Sequence, residues 1–124
     1  MKWSELTAGQ RDDLVARHIL GCQTHAYNGG IICNCYDAPH REPGRSLNAV
    51  PFLADYTSDW RAMEQVTKAM EMEGYTVSMS IYPNGEKYAS ALKRYRSCNC
   101  LRDRPLPELV AYVCLKALGV DVEE

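Results

Sequence analysis

An α+β fold is predicted by three observations. Three segments carry apolar residues at helical spacing, one carries strict alternation, and a Pro-Asn-Gly turn directly follows the alternating segment. Amphipathic helices against a small antiparallel sheet make a layered sandwich; a doubly wound parallel fold would instead alternate strands and helices along the chain. The 124 residues suit a single domain, 1–124, with one modest core.

The first helix follows from Leu14, Val15, His18 and Ile19 on one face, with Arg11, Asp12, Asp13 and Arg17 as charged positions around them. Gly21 is its stop signal, so it ends near Leu20, and His18 is expected to pack at the helix edge. Residues 22–56 then read as a long loop broken by Gly29-Gly30, Pro39, Pro43-Gly44 and Pro51, with only Ile31 to Tyr36 reading as strand. Thr57, Ser58 and Asp59 signal a second helix start, and Ala62, Met63, Val66, Ala69 and Met70 build its apolar face up to Gly74. Asp59 there complements the helix dipole.

Tyr75, Val77, Met79 and Ile81 alternate with Thr76, Ser78, Ser80 and Tyr82, the period of a strand with one buried face. Pro83-Asn84-Gly85-Glu86 turns the chain into a second strand around Lys87 to Lys93. The last helix opens at Pro105 and Pro107 and carries Leu106, Leu109, Val110, Val113, Cys114 and Ala117 on one face until Gly119. Leu14, Val66, Met70, Val77, Met79, Ile81, Val110 and Val113 are the expected common core.

Fourteen Lys plus Arg against sixteen Asp plus Glu give a formal charge of -2, which supplies no global attraction to nucleic acid or an anionic membrane. The opening residues have no signal-peptide pattern and no stretch is long enough to span a bilayer, so a cytosolic, membrane-free protein is expected. Against that weak overall charge, the run from Glu86 to Arg104 holds Lys87, Lys93, Arg94, Arg96, Arg102 and Arg104 but only two acidic residues. With Tyr88 and Tyr95 interleaved, Arg94, Arg96, Arg102 and Arg104 have the chemistry to clamp a phosphate and stack a base. The same run also suits a solvated strand edge guarded against aggregation.

Cysteine usage stands out: two C-N-C tripeptides, Cys33-Asn34-Cys35 and Cys98-Asn99-Cys100, beside Cys22 and Cys114. Cys33, Cys35, Cys98 and Cys100 supply enough thiolates for a tetrahedral zinc, but structural zinc sites space paired cysteines by two to four residues, so no cofactor is the expectation. The two tripeptides are expected to pair and extend the sheet, anchoring the loop. Cys114 is a packing residue of the last helix. Cys22 and His25 have nucleophile and base chemistry without an orienting third group, and phosphate loops, metalloprotease helices and nucleophile elbows are all absent from the sequence, so a non-enzymatic protein is expected.

Three segments resemble the phage ABA sandwich family, BC1872-like small phage and prophage proteins. Asp13 to Gly21 is similar to its opening helix. Pro51-Phe52, Tyr56-Thr57-Ser58-Asp59 and Ala62 to Met70 resemble its capped, Ala-rich second helix, and Leu106-Pro107 with Val110 to Leu118 its closing helix. Trp60 stands one turn earlier than the family's tryptophan, and Thr57-Ser58 inverts its hydroxyl order. The resemblance implies an α-β-α sandwich, a bacteriophage origin and the host cytoplasm. Two functions follow as expectations: an accessory protein that binds a host protein, such as a defence protein, to inhibit it, or a sponge holding a nucleotide signal in a basic, Tyr-lined groove. A structural zinc protein is a third, and homo-oligomerisation is expected to cover exposed sheet edge.

Overall fold

The computed structural model describes residues 1–27, 29–33, 53–94, 96–102 and 104–124, with the backbone alone at Tyr27 and over Arg96–Arg102. The protein is an α+β fold, with three helices and two small antiparallel sheets among the described residues. A single 3-10 turn at Trp3–Glu5 precedes α1 (Ala8–His18). The start of α1 is set by a capping box: the Thr7 hydroxyl accepts from the Gln10 N–H, and the Gln10 side chain accepts from the Thr7 N–H.

After α1 come β1 (Thr24–Tyr27) and β2 (Gly30–Cys33), a hairpin in the stretch expected to be loop with one strand. Residues 34–52, including Cys35, lie outside the described residues. The hairpin escapes a periodicity reading because each strand has four residues and Thr24 to Ala26 are half-buried or exposed. It is fastened to α1 by the Thr24 hydroxyl, which donates to the Asp13 carboxylate that also pairs with Arg17 at 3.1 Å.

Asp59 caps α2 (Trp60–Met72) by accepting from the Arg61 N–H at 2.9 Å. Gly74, at φ 92°, turns the chain into β3 (Thr76–Ile81), and Gly85, at φ 89°, closes the expected hairpin to β4 (Lys87–Lys93). A further strand, β5 (Arg96–Arg102), pairs antiparallel with β4 and completes a β3-β4-β5 meander. Its arginines and asparagine hide the strand pattern in the sequence. α3 (Leu106–Ala117), with Pro107 in its first turn, follows as expected.

Of the expected α-β-α layers, α2 and α3 form one, packed against the meander. α1 packs on α3 and on the β1-β2 hairpin. The opposite face of the meander is open at Thr76, Ser78, Ser80 and Leu92. Leu14, Val66, Met70, Val110 and Val113 are buried in one core, with Val77 and Met79 packed partly against it. Ile81 departs from the expected core: it is 58% exposed, because it sits at the far end of β3 opposite Lys87. His18 is exposed rather than packed, while Asp12, read as a charged surface position, is buried.

One carboxylate ties the N-terminal segment to the helices. Glu108 Oε1 accepts from Trp3 Nε1 at 2.8 Å and pairs with Arg11 at 3.0 Å and Arg104 at 2.7 Å. Arg11 also donates through Nε and Nη2 to the Trp3 carbonyl and lies over the indole ring, 5.1 Å from its centroid. The indole in turn meets the Tyr112 ring edge-on at 5.4 Å.

Core membership separates two truncations. Val113→Ala should cost about 1–3 kcal/mol in urea unfolding, whereas Ile81→Ser should stay within about 0.5 kcal/mol of the parent. Equal effects would contradict the assignment.

Candidate functional site

The basic segment is spread by the meander. Register places Lys87 opposite Arg102 at one end of the β4-β5 ladder and Lys93 opposite Arg96 at the other, with Arg94 in the connecting turn at φ 53°. Six strand residues separate those ends by about 20 Å, too far for one phosphate to be held from both. Arg104 is committed to Glu108, and Lys93 lies 5.3 Å from the centroid of the Tyr75 ring. Tyr88 is half-buried opposite Ser80 and Leu101, and Tyr95 lies outside the described residues. Nearness in sequence gave the appearance of one cluster because the β4-β5 turn folds the run into a ladder.

Of the first cysteine tripeptide only Cys33 belongs to the described residues, and the expected pairing through Asn34 and Cys35 lies outside them. β2, which ends at Cys33, pairs with β1, whereas β5 pairs with β4, placing Cys98 opposite Ala91 and Cys100 opposite Ala89. Ala89 and Ala91 are buried, so the two β5 cysteines hold register positions beside the helix-covered part of β4. Cys22, Cys33 and Cys114 are buried as well. His25 is exposed on β1. Among the described residues no group of three or more His, Cys, Asp or Glu is gathered to hold a metal ion, and no helix is long and apolar enough to cross a membrane.

A cleft of about 520 Å³ that the sequence reading missed opens between the start of α1 and the β1-β2 hairpin. Thr7, Gln10, Gly30 and Ile31 line it, and two carboxylates, Asp12 and Asp55, border it. Asp12 Oδ1 accepts from the Thr57 N–H at 3.0 Å and from the Thr57 hydroxyl at 3.1 Å, binding α1 to the turn that leads into α2. Burial pushes the Asp12 carboxyl up from 3.8 to about 6; the Thr57 hydrogen bonds oppose the rise and the nearby Asp55 charge adds to it. The signal for this site was a carboxylate one turn before buried Val15 and Ala16, indistinguishable in the sequence from an exposed helix residue.

Compared with known protein families, curated proteins and solved structures, the chain matches none.

The raised carboxyl fixes the sign of a pH effect. Between about pH 4 and pH 6 folded Asp12 keeps a proton that the unfolded chain releases, so stability present below pH 4 is lost as pH rises through 6. A two-unit shift corresponds to about 3 kcal/mol. Urea midpoints measured from pH 4 to 7 should fall more steeply for the parent than for Asp12→Asn. Parallel curves would contradict the assignment.

Proposed function

We propose that the protein is a non-enzymatic bacteriophage accessory protein that works in the host cytoplasm by binding a host protein, such as a defence protein, and inhibiting it. The observation that carries this reading is the open face of the meander. Thr76, Ser78, Ser80 and Leu92 are exposed there and Tyr88 is half-buried, on strands whose other face is covered by α2 and α3. That surface is neutral and mixes hydroxyls with apolar area, the composition of a protein contact rather than of a phosphate clamp. Among the described residues β3 is an edge strand, and it carries no charged residue, so its backbone groups suit pairing with an extended segment of a partner. The separation of the basic residues along β4 and β5 speaks against a single nucleotide groove. The phage setting rests on the resemblance of the three helical segments to phage ABA sandwich proteins.

Native mass spectrometry of the protein isolated from bacterial cytosol tests the proposal. A host protein should accompany the parent chain and be lost, by about tenfold in occupancy, when Leu92→Glu and Ser78→Lys are combined on the open face. A chain carrying a nucleotide or one zinc and no protein would overturn it.

A further inference from the structure

The outer surface of α2 has a charge order that reads with every sign inverted from the opposite end. Ala62, Met63, Val66 and Met70 face the core, leaving Trp60, Arg61, Glu64, Lys68, Glu71 and Met72 exposed on the opposite side. Arg61, Glu64, Lys68 and Glu71 follow one another at steps of three, four and three residues, one continuous stripe. Reversed about Val66, Arg61 falls level with Glu71 and Glu64 with Lys68, and the exposed large apolar residues Trp60 (54%) and Met72 (88%) fall at the two ends.

We propose that α2 docks antiparallel on α2 of a second copy of this chain, forming a two-fold dimer. In that arrangement each Arg61 meets Glu71 of the other copy and each Glu64 meets its Lys68, four complementary pairs, flanked at each end by a Trp60 and a Met72. Parallel docking sets like charges together, and sliding the antiparallel pair by one turn opposes Arg61 to Lys68 or Glu64 to Glu71. The stripe therefore selects one orientation and one register, as charged positions do between paired helices. Within the chain these groups are not consumed. Among the described residues Glu64, Lys68 and Glu71 enter no ion pair, although Glu64 and Lys68 are four apart in the favourable order, and Arg61 has only a 3.7 Å contact with Asp59. The dimer leaves the open sheet face free, so it is independent of host-protein binding there.

Two surface variants test this by charge. Arg61→Glu with Lys68→Glu makes the stripe wholly acidic, and Glu64→Lys with Glu71→Lys makes it wholly basic. In sedimentation at low salt the parent should dimerise above the 14.0 kDa chain mass, each variant should self-associate at least about tenfold more weakly, and an equimolar mixture should regain the dimer. About 0.5 M salt should weaken the parent dimer. The salt result on the parent stands even if a variant fails to fold, which circular dichroism reports. A parent that stays monomeric to millimolar concentration, variants that dimerise like the parent, folded variants whose mixture stays monomeric, or a salt-insensitive dimer would each overturn the proposal.

Discussion

The contact on which the arrangement of elements depends is the gathering of Trp3, Arg11 and Arg104 around the Glu108 carboxylate. Glu108 lies in the first turn of α3, where a negative charge also suits the helix dipole. Its side chain is 12% exposed and that of Arg11 17%, so water screens the pair weakly and its charge-assisted bonds must offset desolvation. They do so jointly: the indole N–H and two guanidinium groups converge on one oxygen, and Arg11 also donates through Nε and Nη2 to the Trp3 carbonyl. Trp3, almost completely buried, is thereby seated on Tyr112 of α3. The N-terminal segment, α1 and α3 become one unit.

That unit explains which surfaces are left over. With α1 held on α3 and the β1-β2 hairpin fastened to α1, α2 and α3 cover only one face of the meander. Among the described residues the other face and the β3 edge are uncovered, and the charged stripe of α2 is exposed. Arg104, part of the basic run, is held by the same carboxylate. Asp12 plays a smaller version of the Glu108 role, holding the turn before α2 to α1 through Thr57, at the cost of a buried carboxyl.

The three helices and the β3-β4 hairpin were legible in the sequence because each buries one continuous face, and because Gly21, Asp59, Gly74, Asn84-Gly85 and Pro107 mark their ends. β1, β2 and β5 were not, since a four-residue strand carries too few periods, and in β5 the two end arginines leave only Cys98 and Cys100 to mark an apolar alternation. Ile81 shows the limit of alternation itself: the parity is that of Val77 and Met79, but the strand outruns the helices that would cover it. Site residues were less legible still. Glu108, Arg11 and Trp3 are separated by up to 105 positions, and only tertiary packing brings them to one oxygen. The basic run was conspicuous in one dimension, yet sheet pairing distributes it between the ends of the β4-β5 ladder, and the described cysteines Cys33 and Cys98 stand in strands of different sheets.

A double-mutant cycle on Arg11→Met and Glu108→Gln, followed by urea unfolding at neutral pH, tests the central claim most directly. If Glu108 and Arg11 lock α1 to α3, the two substitutions should couple by about 1–3 kcal/mol, each costing far less in the presence of the other. A coupling of no more than about 0.3 kcal/mol, the range of independent sites, would contradict the account.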